Sequence, residues 1–279
     1  MSIAIDYLRL IETIGKRLTV PSVQSIHIAA PQENPEKTSN YGALVLSDGT
    51  VGLTYTDLNG ALSALQDRAK TDPLIQASPV QIAELYAGQS GWQRSLGMAA
   101  INAISQVVFK RSGYIPPIAD KTISHLTLED GDHVGMVGFF PPLVEQVRAL
   151  GLPLTVVELD ERWLQSADGV DVTLDPAHLR HCNKIVCTGT VLINQTIDTL
   201  MQHCGHAEQM FIVGPTTGCL PDPLFDRGVT LLGGCSVVDS ERFIELWSHQ
   251  EKWRGTTRRY VLSKEKDYPG YQSLLAKIV

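Results

Sequence analysis

At 279 residues the chain is long enough for about two domains, and its 43% hydrophobic content with no low-complexity tract suffices for ordinary buried cores. A formal net charge of −7 and a pI near 5.6 exclude a broad nucleic-acid-binding face, which needs a basic surface. No apolar run approaches the ~18 to 20 residues that span a bilayer, and Asp6, Arg9 and Glu12 interrupt the N-terminal segment, so neither a membrane span nor a signal peptide is expected. Cys182, Cys187, Cys204, Cys219 and Cys235 are odd in number and form no CxxC pair, the pattern of reduced thiols in a cytoplasm.

In chain order, Ile5, Leu8, Ile11 and Ile14 mark an amphipathic helix over residues 4–17. Strand-like runs follow at 25–30, 43–46 and 51–56, and Asp48-Gly49 predicts a hairpin between the last two. Ser78-Pro79 reads as a cap with proline at the first helical position, opening a helix to about Tyr86. A second helix runs from about Trp92 to Val108, with Gly97, Ala99, Ala100 and Ala103 allowing close approach of another backbone. Gly113, Pro116 and Pro117 punctuate a boundary near 112–120. This divides the chain into an α+β domain over 1–115 and an α/β domain over 116–250. The residues beyond 250 carry a local charge of +4 (Lys252, Arg254, Arg258, Arg259, Lys264, Lys266 and Lys277 against Glu251, Glu265 and Asp267, 7 − 3). They read as a basic, solvated C-terminal tail held by Tyr260, Tyr268 and Leu274; docking on the body of the protein or on the second subunit of a homodimer is the alternative.

From about 121 to 250, strands and helices alternate as in a parallel sheet. Four apolar runs end in small, hydroxyl or acidic residues. They are Val134–Val137 into Gly138-Phe139-Phe140-Pro141-Pro142, Leu154–Val157 into Glu158, Ile185–Cys187 into Thr188-Gly189-Thr190, and Met210–Val213 into Gly214-Pro215-Thr216-Thr217-Gly218. Ligands of open α/β sheets bind outside the carboxyl ends of the strands, where these segments belong. Glu158, 20 residues after Gly138, suits the ribose hydroxyls of a nucleoside. Pro141 and Pro142 lack the backbone N–H groups that a pyrophosphate needs. An adenosyl ligand such as S-adenosylmethionine is therefore favoured over NAD, with a tight turn and a solvated Glu158 as the structural alternative.

Thr188, Gly189, Thr190 and Asn194 would form a second rim, or simply cap a helix from Thr190 with Asn194 one turn in. Gly214, Pro215 and Thr216 would form a third. Asn102 is either a donor to the cleft or a core amide. His178, His181 and Cys182 fall on one face of a short helix, and His203, Cys204 and His206 end the next, a soft donor set for zinc, copper or nickel on the amino edge of the sheet. Their spacing matches no zinc module, and polar residues at helix ends are the favoured account of them. Cys187, inside a strand, is expected to be an inert thiol.

Val137-Gly138-Phe139-Phe140-Pro141, Val157-Glu158, Thr188-Gly189-Thr190 with Asn194 and Thr196, Val213-Gly214-Pro215, and Val229–Gly233 with Asp239 resemble a heavy-metal-chelation family whose chemistry is not established. Val51-Gly52-Leu53 and Ala99–Ala103 resemble its companion domain, and the likeness covers about residues 1–250. It implies an enolase-N-terminal-like α+β domain, a Rossmann-like C-terminal domain and a ligand cleft between the Asn102 helix and the strand ends. Gly138, Phe139, Glu158, Thr188, Gly189, Thr190, Asn194, Gly214, Pro215, Thr216, Asp239 and Asn102 would line that cleft. The ligand implied is a transition metal or metal chelate, or an adenosyl-type or pterin-type molecule. Whether the protein turns over a substrate stays open. A transferase using S-adenosylmethionine and a non-catalytic scaffold are the other readings, and neither nucleic acid nor membrane is an expected partner.

Overall fold

The structure, a computed structural model, describes residues 2–29, 40–58, 60–69, 77–119, 122–159, 161, 170–249, 251–266 and 268–278. The predicted helix is α1 (Ile3–Arg17), burying Tyr7, Leu10, Ile11 and Ile14. It leads into an antiparallel sheet of β1 (Val23–His27), β2 (Tyr41–Leu46) and β3 (Val51–Tyr55), in that order. Residue 30 of the run expected at 25–30 lies outside the described residues, and β1 starts two positions earlier than its hydrophobic pattern suggested. The β2–β3 turn is the Asp48-Gly49 hairpin, with Gly49 at φ +79° and the Asp48 carboxylate accepting from the Thr50 amide at 3.0 Å.

α2 (Ala61–Ala69) precedes α3 (Pro79–Glu84), which Ser78 and Gln81 open with a capping box, and α4 (Gly91–Arg111). Every residue of α4 from Arg94 to Phe109 is buried. The small residues do what their pattern predicts. A Cβ on Gly97 would lie 2.3 Å from the Tyr86 amide nitrogen, and one on Gly52 would lie 2.0 Å from the Ala99 carbonyl, so only glycine admits these backbones so close together.

The second sheet has seven strands: β4 (Val134–Val137), β5 (Leu154–Val157), β6 (Val170–Thr173), β7 (Lys184–Thr188), β8 (Gln209–Val213), β9 (Leu231–Val237) and β10 (Thr257–Ser263). Their spatial order is β10-β9-β8-β7-β4-β5-β6, all parallel except β10. The helices that go with it are α5 (Pro141–Ala149), α6 (Ile197–Met201), α7 (Asp222–Phe225), α8 (Ser240–Ser248) and α9 (Tyr271–Leu275). The strand residues alternate between two buried faces. Ile185, Cys187, Met210 and Ile212 join a cluster with Tyr7, Ile104 and Leu274, while Val186, Phe211 and Val213 join Leu143 and Val147 of α5. One hydrophobic cluster thus contains residues of both sheets' helices, and the N-terminal half packs on one face of the parallel sheet.

The segment after 250 departs from the expectation of a solvated tail. Tyr260 and Leu274 are buried and Tyr268 half-buried, as anchors would be, but Thr257–Ser263 pairs antiparallel with β9 along seven positions. The exposed Arg258 and Arg259 supplied the charge that made this strand read as a tail, while Tyr260, Val261 and Leu262 are buried on both its faces.

Candidate functional site: the switch point between β4 and β7

From β4 the chain passes to β5 and β6 on one side, then returns to place β7, β8 and β9 on the other. The carboxyl ends of β4 and β7 therefore flank the point where the sheet reverses, the position at which doubly wound sheets leave a crevice. Gly138 and Thr188 stand next to each other there, one step beyond the register pair Val137 and Cys187. Gly138 adopts φ +79°, and its amide donates to the Val157 carbonyl at 3.0 Å. The Thr188 hydroxyl accepts from the Thr190 hydroxyl at 3.3 Å, and Gly189 lies so close to the next loop that a Cβ would sit 2.8 Å from Thr217 Cγ2. The Thr217 hydroxyl is held between the Gly214 and Gly233 carbonyls at 2.6 and 2.5 Å. The ends of β4, β7 and β8 thus form one continuous rim of Gly138, Thr188, Gly189, Thr190 and Gly214, with the half-buried Pro215 following.

The expected weakness of this rim for phosphate is visible at α5. Pro141 and Pro142 occupy its first two positions, and the next amide, of Leu143, donates to the Phe140 carbonyl at 2.9 Å. No amide of that first turn remains to cradle a pyrophosphate. Phe139, 48% exposed, and the half-buried Glu158 stand at the adjacent ends of β4 and β5.

The N-terminal half grips the strand-end loops by their carbonyls. The Tyr86 hydroxyl donates to the Leu192 carbonyl and Arg94 Nε to the Ile193 carbonyl, both at 2.7 Å. Asn102 Nδ2 donates to the Leu53 and Thr216 carbonyls, again at 2.7 Å each, and the Tyr55 amide donates to Thr216 Oγ1 at 3.1 Å. Asn102 is buried, and its Oδ1 has no hydrogen-bond partner. Tyr86 and Arg94 were not singled out from sequence. Arg94 carried a signal, a charged side chain within a helix otherwise rich in small and apolar residues, but nothing local showed that its Nε would reach the Ile193 carbonyl.

Other expected site residues are placed differently. Thr188, rather than Thr190, caps the turn after β7, which is a 3₁₀ segment over Gly189–Leu192. Asn194 is not one turn into a helix; its side-chain Oδ1 accepts from the Thr196 amide and hydroxyl at 3.0 and 2.7 Å, beside Gln195 at φ +65°. Asp239 is exposed and caps α8 by accepting from the Arg242 amide at 3.0 Å. Cys219, which directly follows the Gly214–Gly218 run, is fully buried against the Tyr7 hydroxyl at 3.0 Å, and burial pushes its thiol up to about 12.

Among the described residues, no group of three or more His, Cys, Asp or Glu side chains is arranged to hold a metal ion. Residues Pro176–His181 form a 3₁₀ segment in which the exposed His178 faces Asp171 at 3.4 Å and His181 is exposed. The Cys182 and Cys204 thiols are buried, and burial raises them to about 11 and about 12, against the thiolate form that binds metal. His203 is half-buried with an unpartnered Nδ1, and His206 is exposed. Cys187 is the inert strand thiol expected, raised well above its ordinary value by desolvation.

Two family models match, DUF364 over residues 121–263 and DUF4213 over residues 39–105, both described as "Putative heavy-metal chelation". An uncharacterised protein of Methanocaldococcus jannaschii is 25% identical over 178 residues, 62% of this chain and 67% of its own. Two solved structures of DUF364 proteins of unknown function share the fold. The one from Pyrococcus horikoshii has a TM-score of 0.70 at 17% identity, covering 94% of this chain and 99% of its own. The one from Desulfitobacterium hafniense has a TM-score of 0.67 at 18% identity, with 92% and 98% covered. With the first model spanning more than half of the chain and both halves of the molecule matched, this protein belongs to the DUF364 family.

Proposed function

We propose that the crevice at the β4–β7 switch point, closed by α4, binds a small polar organic ligand, and that this ligand is a metal chelate or cofactor precursor. The observation that carries the reading is the rim in which Gly138, Thr188 and Gly189 meet at the carboxyl ends of β4 and β7, where the sheet reverses its order. Asn102 Oδ1, buried and unpartnered beside Thr216, supplies an acceptor for a ligand donor. The family description supports metal handling, and the lack of a three-donor set among the described residues favours a metal carried by an organic chelator over a bare ion. Five free, buried thiols support a reducing, cytoplasmic setting.

A second reading follows from Pro141, Pro142 and Glu158: a phosphate-free nucleoside such as S-adenosylmethionine, its ribose hydroxyls on the Glu158 carboxylate. Native mass spectrometry of freshly purified protein, compared with its denatured mass, tests both. An increment containing a metal plus an organic body supports the first and an adenosyl-sized increment the second; a bare metal ion would overturn the chelate reading. Glu158→Ala should abolish retention of an adenosyl ligand and leave a metal chelate largely bound.

A further inference from the structure

α1 and α4 end close together, and consecutive basic residues at the two ends behave differently. Lys16 pairs with Glu12 at 2.5 Å, and Lys110 pairs with Asp48 at 3.3 Å. The residues that follow them, Arg17 and Arg111, have no carboxylate partner among the described residues. Arg17 makes no hydrogen bond there, and Arg111 donates only to the Thr19 carbonyl, at 3.0 Å. Both arginines line one cavity of about 410 Å³ together with Leu18, Thr19 and Ile278. What distinguishes these two arginines is that they face one space whose lining holds no carboxylate among the described residues. The carbonyl ends of the two helices favour a cation nearby. That accounts for an arginine at each helix end but not for both lining the same cavity.

We propose that this cavity is an oxyanion site for a small soluble molecule carrying a phosphate or carboxylate group. The guanidinium group is permanently charged and presents a planar fork of donors, which matches the paired oxygens of either group. The space is open to solvent, and Arg17, Thr19 and Arg111 are exposed around it, so a soluble anion reaches both guanidinium groups directly. With only Leu18 and Ile278 as apolar lining, the site would grip the anionic end of its ligand and leave the remainder near solvent. None of the residues at the β4–β7 rim lines it, so it is independent of the crevice.

The test is calorimetric titration of the full chain with inorganic phosphate and, separately, with acetate, each against sodium chloride of equal ionic strength. A saturable signal in the phosphate arm assigns a phosphoryl ligand and one in the acetate arm a carboxyl ligand. Arg17→Gln or Arg111→Gln should weaken it about tenfold or more, and Arg17→Lys, which keeps the charge and loses the fork, should fall between. A response no different from chloride overturns the proposal, as does saturable binding that Arg17→Gln leaves unchanged. Because Arg17 makes no hydrogen bond among the described residues, that variant reads binding rather than folding, even if Arg111→Gln suffers from losing the Thr19 carbonyl.

Discussion

A Cβ on Gly138 would lie 2.9 Å from Thr188 Cγ2, across the line where the parallel sheet reverses its order. Two separate penalties meet at this position: the left-handed backbone at φ +79°, and the methyl group of the neighbouring strand end. Gly138→Ala should therefore lower stability by about 1 to 3 kcal/mol. Thr188→Ser removes the methyl, so the double variant should regain the steric share and keep the backbone share. Urea unfolding of the four proteins in the cycle measures this, and strict additivity would show that the two residues do not press on each other.

Asn102 makes the sharpest prediction about the join between the two halves. Its amide nitrogen holds the Leu53 and Thr216 carbonyls, while its own carbonyl is unused. Asn102→Asp removes both donors and brings a carboxylate against two carbonyls in a buried place, so a loss of about 3 to 5 kcal/mol at neutral pH is expected. The deficit should shrink in acid, where the protonated side chain regains one donor. A pH-independent deficit, or one below 1 kcal/mol, would mean that the carboxamide does not tie the halves together.

Gly52 and Gly113 separate packing from backbone conformation. A Cβ on Gly52 would meet the Ala99 carbonyl at 2.0 Å and the Ala103 nitrogen at 2.4 Å, both rigid backbone, whereas one on Gly113, at φ +68°, would meet nothing within 4 Å. Gly113→Ala should cost about 1 kcal/mol. Gly52→Ala should cost more than about 4 kcal/mol, or yield no soluble folded protein, because β3 cannot move away from α4 without opening the core. Similar midpoints for the two variants would contradict the close packing of β3 on α4.

Much of this architecture was written locally in the chain. Asp48-Gly49 specifies its turn by a positive φ and an Asx contact, Ser78-Pro79 its helix start by a cap, and the strand ends at Gly138, Thr188 and Gly214 stand out because apolar runs stop there at small or hydroxyl residues. What was not legible depends on distant partners. Thr257–Ser263 becomes a strand because β9 offers an edge, and its two arginines conceal the pattern. The role of Arg94 depends on the Ile193 carbonyl, 99 positions away. The histidine and cysteine spacing suggested convergence, but the short helix is 3₁₀ and the thiols turn into the core.

Asp222 gives stability a pH dependence of known sign. Its carboxylate accepts from the Tyr268 hydroxyl at 2.5 Å and the Tyr271 amide at 3.0 Å, tying the C-terminal segment to α7. Burial nevertheless outweighs those bonds and, with Asp226 nearby, lifts its pKa above the usual 3.8. A carboxyl raised in the folded state contributes stability that is full below the unfolded value and is lost as pH rises through the folded one. Asp222→Asn keeps an acceptor for the Tyr271 amide and removes the titration. Its stability relative to the unaltered protein should therefore improve as pH rises from about 4 through the raised folded pKa and level off above it, all other titrating groups cancelling in the difference. Urea midpoints at pH 4, 5.5 and 7 would reveal this trend. Parallel curves would mean that the two hydrogen bonds fully offset the cost of burying the charge, and a trend of opposite sign would mean that they exceed it.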